Sequence, residues 1–252
     1  MIFYLENTWT MDGEADDIIT YANNLNIPIK IMSASELHQV DSHQFISSIY
    51  FCNTSIVQYH LSRINKMHLV PDTYESIYSK YFCRQIEKIS FVEFINKYCN
   101  NNIKRFVKPT SNDKNFDGCV ISNINDFEEH GYSAPNLDQL VYSCEPIEIL
   151  SEVRLLIGNN KLYGHGHINR NINDSYLTEH YSNGTKFIDE LIDITGEKFR
   201  CIDIGFIYLA SESISRWSII EINPPFSLDD YQIPFDNYIN FCIDSCRYIC
   251  DA

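Results

Sequence analysis

The sequence predicts an α/β fold that passes into an α+β arrangement, and three observations carry the prediction. Apolar strand-like runs alternate with helical periodicity near the start, paired strands with polar turns fill the middle, and a helical pattern ends the chain. Ile2-Phe3-Tyr4-Leu5 reads as the first strand. Ile18, Ile19, Ala22 and Leu25 then recur at helical spacing, closed by Asn26. Pro28 to Met32 and Ser48 to Cys52 read as further strands, the latter followed by Asn53-Thr54 as a helix cap.

From Ser90 the rhythm changes. Ser90 with Glu93 three residues on is a capping-box pattern, and Phe91, Phe94, Ile95 and Tyr98 form an apolar stripe behind it. Arg105 to Pro109, Cys119 to Ile121, Leu140 to Cys144 and Val153 to Ile157 read as strands. Asn159-Asn160 turns the last of these into a hairpin through Leu162-Tyr163. Tyr181 to Asp193 is helical in pattern. Cys201 to Leu209 and Trp217 to Ile222 form another hairpin, and a helix runs from Phe235 to Cys250.

Bulk properties narrow the function classes. The 252 residues suffice for a substantial core, and 44% hydrophobic with 21% charged residues is ordinary for a soluble globular chain. A formal net charge of −15 argues against a surface that grips nucleic-acid phosphates, although a local basic pocket remains compatible. The nine cysteines contain no Cys-x-x-Cys pair. Cys242, Cys246 and Cys250 share one helix face and read as small buried hydrophobes. Met1 to Leu5 lacks the length and basic flank of a signal peptide, and no apolar run approaches membrane-spanning length. A cytoplasmic protein with reduced thiols and no membrane partner is expected.

The last hairpin is the most informative element for chemistry. Asp203 interrupts an apolar strand, Ile202-Asp203-Ile204-Gly205, and the partner strand ends in Ile220-Glu221-Ile222-Asn223. Strand periodicity puts Glu221 and Asn223 on one face, where Asp203 can meet them from the neighbouring strand. Three oxygen donors on a buried hairpin suit a hard divalent cation, magnesium or manganese. Lys108 and Lys114 are suited to reach phosphate oxygens as point charges, or to sit as solvated surface charges. Glu152 and Arg154 lie on one side of an apolar strand, either as a mutual ion pair or as site residues. His165 and His167 flank Gly166 as a metal or acid–base pair, or as exposed loop residues.

In order, Phe106-Val107-Lys108-Pro109, Ser151-Glu152-x-Arg154, Ile202-Asp203-Ile204-Gly205 and Glu221-Ile222-Asn223-Pro224 resemble the ATP-grasp superfamily. More narrowly, Lys108-Pro109, Lys114-x-Phe116-x-Gly118 and Arg154 resemble its clade marked by a small set of arginines and lysines. The resemblance spans roughly Ser90 to Tyr231. It implies a pre-ATP-grasp α/β domain over 1–89 and an ATP-grasp domain over 90–252, the latter divided into a small subdomain (90–145) and a metal-binding subdomain (146–252).

By the same resemblance, Lys108 and Lys114 contact ATP phosphates. The backbone of the strand Val141, Tyr142, Ser143, Cys144, continuing through Glu145 to Pro146, meets adenine, and Glu145 or Glu152 takes the ribose. Arg154, with Lys114, acts on the transferred phosphoryl group. Asp203, Glu221 and Asn223 hold magnesium, and His165, His167 and Arg170 border the acceptor. Relatives often carry an arginine where this chain has Cys201, leaving Arg154, Arg170 and Arg200 as alternatives. The implied activity joins a carboxylate-bearing substrate to an amine or thiol acceptor through an acyl phosphate. Phosphate transfer to a hydroxyl, or nucleotide binding without turnover, are the alternatives.

Overall fold

The computed structural model describes residues 2–8, 14–110, 116–168, 175–210, 212–226 and 228–252. The first layer comprises β1 (Phe3–Glu6), α1 (Glu14–Asn24), β2 (Ile29–Met32), α2 (Ala34–Leu37), α3 (Ser42–Ile46), β3 (Ile49–Phe51) and α4 (Thr54–Arg63). Its sheet is parallel, ordered β2-β1-β3, and all four residues of the central β1 are buried. Asn26 leaves α1 at φ 55°, and the Asn53 side chain accepts from the Ser55 N–H to start α4. The apolar stripe of α1 was expected to include Leu25, but this residue lies past the helix end and is exposed. Helices α2 and α3 are too short to show a 3.6-residue period. Their signals are local, a Ser33–Glu36 capping box and an Asp41 cap.

The second sheet is built from β4 (Ile86–Ser90), α5 (Phe91–Lys97), β5 (Arg105–Pro109), β6 (Cys119–Ile121), α6 (Asp126–Glu129) and β7 (Leu140–Cys144). It is antiparallel, ordered β4-β7-β5-β6. Ser90 and Glu93 form both halves of the capping box at the start of α5. One face packs Val107, Val141 and Ile121 with Phe91, Phe94, Phe116 and Phe127. Lys108 pairs with Tyr142, and Phe106 with Cys144, on the other face. Strand β4, which leads directly into α5, has no clear alternation in Ile86-Glu87-Lys88-Ile89 and was not expected.

The third sheet carries β8 (Glu148–Gly158), β9 (Lys161–His167), α7 (Ser175–Thr195), β10 (Arg200–Leu209), β11 (Ile214–Asn223) and the terminal α8 (Phe235–Asp251). It is ordered β11-β10-β8-β9, with Asn159 and Asn160 at φ 50° and 58° making the β8–β9 turn. Val153, Leu155, Ile202, Ile204 and Ile219 face α7 and pack with Leu191 and partly buried Ile188 and Ile192. On the opposite face Leu156 and Cys201 join Tyr238, Phe241 and Cys242 of α8 in one cluster with Phe3, Leu5 and Phe51. The terminal helix therefore completes the core of the first layer. The nine cysteines form no disulfide. Among the described residues no helix is long and apolar enough to cross a membrane.

Candidate active site

Four aligned residues cross the third sheet in one row: Gly166 on β9, Arg154 on β8, Asp203 on β10 and Glu221 on β11. A β-bulge puts the last of them there. Asp203 opposes Glu221 while Ile204 opposes Ile219, leaving Ile220 as the extra residue. Strict alternation from Ile219 would turn Glu221 toward α7. The bulge turns it to the Asp203 face instead and keeps Ile222 in the apolar core.

The charges in this row are tightly paired. Arg154 donates from Nε and Nη2 to the two oxygens of Asp203, each at 2.8 Å, in a bidentate pair. Arg154 is 8% exposed and Asp203 2%, so each would be costly without the other. Asn223 donates its amide N–H groups to Asp203 Oδ2 at 2.9 Å and Glu221 Oε1 at 3.2 Å. Glu221 receives its cation from the facing sheet, where Lys108 Nζ on β5 lies 2.6 Å from Glu221 Oε2. This contact joins the second sheet to the third across a cleft. Tyr74 packs edge-on against Tyr142, and Lys108 Nζ lies 5.8 Å from the Tyr74 ring centre.

Electrostatics follow from this packing. Burial raises the carboxyl of Asp203, and the Arg154 hydrogen bonds and charge oppose that rise without cancelling it. For Glu221 burial also acts upward, but Lys108 outweighs it and holds the carboxyl below the usual range. Burial acts downward on Lys108, and Glu221 reverses the sign to raise it. Glu152, two residues before Arg154, is pushed up to about 7 by burial and by the charges of Asp203 and Glu221.

Above Arg154 lies a residue for which the sequence offered no signal. The guanidinium carbon is 4.3 Å from the ring centre of Tyr231. Tyr231 and Gln232 both have positive φ, 46° and 64°, in a turn closed by Ile233 N–H donating to Asp230 O at 2.8 Å. A Cβ at Gly166 would lie 2.2 Å from the Tyr231 carbonyl oxygen, so this position requires glycine. Asp72 also went unnoticed. It accepts from the Tyr142 hydroxyl and from Lys88 Nζ beside the same cleft.

Lys108, Arg154, Asp203, Glu221 and Asn223 are brought together, with Glu152 on the same face. Arg154 pairs with Asp203 rather than with Glu152. Lys114 and Arg170 lie outside the described residues. Arg200 is engaged elsewhere, by a bidentate pair with Glu75 at 2.8 Å, which leaves Arg154 as the described arginine at Asp203. The expectation that the backbone of Val141, Tyr142, Ser143 and Cys144 meets adenine does not fit the sheet. Strand β7 is interior, its two edges occupied by β4 and β5, and only the connector from Glu145 onward leaves the ladder. His165 and His167 pair with Leu155 and Val153, so they lie on the α7 face, opposite Arg154 and Asp203.

The residues fit a hard divalent cation. The amide nitrogen of Asn223 lies within 3.2 Å of an oxygen from each carboxylate, so the oxygens of Asp203 and Glu221 converge on one point. Two carboxylates and a carboxamide leave room for waters and phosphate oxygens, as magnesium prefers. No group of three His, Cys, Asp or Glu side chains is arranged to hold a metal among the described residues. A transition-metal centre of that kind therefore has no support there.

Two antiparallel sheets facing one another across a cleft, linked by a lysine that reaches paired carboxylates, define a nucleotide-clasping class of fold. The family comparison agrees. Residues 81–241 match the model of the ATP-grasp domain, family 2 of the clade named for its arginines and lysine, and the chain belongs to that family. Solved structures with the same fold include a D-cycloserine synthetase, at 10% identity and TM-score 0.58, covering 99% of this chain and 100% of that one. The D-alanine–D-alanine ligase from Bacillus anthracis complexed with ATP matches at 11% identity and TM-score 0.58, covering 100% and 99%. A RimK domain ATP-grasp protein from Sphaerobacter thermophilus matches at 12% identity and TM-score 0.59, covering 100% and 98%. At such identities the likeness is one of fold. A search of curated proteins finds no match.

Proposed function

We propose that this chain is an ATP-dependent ligase that joins a carboxylate to an amine, or to a thiol, through an acyl phosphate with ADP and phosphate as products. The supporting observation is the Lys108–Glu221 contact at 2.6 Å beside the Arg154–Asp203 pair. It brings a phosphate-type cation and two acidic ligands into one cleft between two sheets. Residues 1–89 then form the layer before the ATP-grasp unit, and 90–252 the unit itself. Terminal helix α8 is shared between the two cores.

In this reading Lys108 leaves Glu221 for a phosphate oxygen of the nucleotide, which frees the carboxylate. Asp203, Glu221 and Asn223 would hold magnesium, which when bound neutralises phosphate charge and polarises the transferred group. Arg154, held in place by Asp203 and the Tyr231 ring, presents fixed positive charge to the phosphoryl group as it passes to the substrate carboxylate. Attack by the amine on the acyl carbon then forms the new bond and releases phosphate. Tyr142 and Cys144 line the cleft face of β7 where the base is expected, and Glu145, just beyond the ladder, is placed for the ribose. No covalent enzyme nucleophile is required.

Incubation with Mg–ATP and pooled amino acids, peptides and small carboxylates, with phosphate release and new masses followed together, tests the reading. A ligated mass appearing with ADP and phosphate is expected. Stable phosphorylated product without free phosphate would identify a phosphotransferase instead. Nucleotide-dependent thermal stabilisation without any ADP would identify an idle binding module.

A further inference from the structure

The α7 face of the third sheet contains a cavity that the nucleotide cleft does not explain. It has a volume of about 300 Å³ and runs beneath α7 from His165 and His167 on β9 toward Trp217 on β11. Its walls are the aliphatic side chains of Val153, Leu162, Ile188, Ile192 and Ile204. The volume is roughly twice that of an apolar cavity known to admit benzene, about 150 Å³, so a substituted ring fits.

One wall of this cavity is chemically incomplete. Trp217 is 9% exposed, and its buried Nε1–H has no hydrogen-bond partner among the described residues. A buried donor left unpaired is destabilising, and native structures rarely keep one without cause. The helix above it is also unusual. Gly184 sits within the 21-residue α7, where glycine is a poor helix former, and a Cβ there would lie 3.1 Å from Trp217 Nε1. The glycine lets the indole lie against the helix backbone. At the β9 end, the imidazoles of His165 and His167 and the carboxylate of Asp189 set opposite chemistries side by side, which favours a ligand without net charge.

We infer that the cavity between α7 and the third sheet is a second binding site, for an uncharged, single-ring-sized apolar molecule whose carbonyl oxygen accepts from Trp217 Nε1–H. It is separate from the nucleotide cleft. Val153 and Ile204 line it, while their chain neighbours Arg154 and Asp203 point to the opposite face.

The test uses acetophenone and ethylbenzene, which share a shape and differ by the carbonyl. The full chain carries Trp9→Phe, so that its remaining indole resonance is that of Trp217. Acetophenone should move the indole N–H proton downfield in a saturable titration. Ethylbenzene should perturb the methyl groups of Ile188, Ile192 and Ile204 while moving the indole N–H far less. Ile188→Phe, which fills the cavity, should weaken both probes at least tenfold while leaving the response to Mg–ATP intact. A titration to the solubility limit with no saturable change in either the indole or the methyl resonances would overturn the proposal, as would equal indole shifts from the two probes. The unfilled protein decides by itself if Ile188→Phe fails to fold. None of these outcomes depends on turnover, so failure here is distinct from failure of the ligase reading.

Discussion

The two faces of the third sheet are made by the same strands and do opposite work. On the α7 side Val153, Leu155, Ile202, Ile204 and Ile219 exclude water and supply cohesion. On the cleft side Arg154, Asp203 and Glu221, their sequence neighbours or near neighbours, are held by paired charges. The contrast shows how a buried strand tolerates ionic groups. The apolar face fixes the backbone, and the fixed backbone lets a bidentate pair form without further ordering cost. The charged face is then available for chemistry because its neighbour supplies stability.

Breaking the contrast from either side should give separable results. The largest effect is expected for Glu221→Gln, which keeps the shape and removes the charge. ADP formation should fall about a thousandfold, roughly 4 kcal/mol of transition-state stabilisation, while the far-ultraviolet dichroism stays native. Unchanged turnover would remove Glu221 from the site. On the other face, Leu155→Ala should lower unfolding free energy by about 2–5 kcal/mol in urea titrations. Its folded fraction should keep near-normal nucleotide binding, and a selective loss of binding would show that the faces are not independent.

Two smaller effects sharpen the comparison through their pH dependence, which should run in opposite directions. Lys108→Met removes the group that holds Glu221 below its usual range. A depressed carboxyl contributes stability above its unfolded value and loses it as pH falls through the folded value. The variant should therefore be less stable by about 1.5–3 kcal/mol at neutral pH, converging on the parent in acid. ATP affinity should fall with it. Glu152, in contrast, is raised to about 7, so its ionisation in the fold is unfavourable above that pH. Glu152→Gln should gain on the order of 1–2 kcal/mol over the parent by pH 8, after allowance for solvent screening, and little at pH 4. Denaturation curves at a series of pH values measure both. A gain for Glu152→Gln that is the same at all pH values would contradict the assigned cause.

Much of the local structure was legible in the residues themselves. Ser90 with Glu93 marked a helix start, Asn159-Asn160 a hairpin, and the apolar run from Arg105 to Pro109 a strand. These are short-range features, decided by backbone sterics and by hydrogen bonds within a few residues. The grouping of Asp203, Glu221 and Asn223 was also legible, because an acid within an isoleucine-rich strand has few ways to be satisfied. By contrast, β4, α2 and α3 showed no usable period, and the side on which His165 and His167 lie depended on register.

What the sequence determined by itself, then, is the order of elements, the acidic hairpin and the set of cations able to serve it. What only the tertiary structure decided is which cation meets which acid. Arg154 went to Asp203 rather than Glu152 because β8 and β10 are in register at that pair. Lys108 came to Glu221 from another sheet, more than a hundred residues away in the chain. The bulge at Ile220 turned Glu221 to face them both. Partner choice among buried charges depends on distances of a few ångströms, and those are set by strand register and sheet packing rather than by any local pattern.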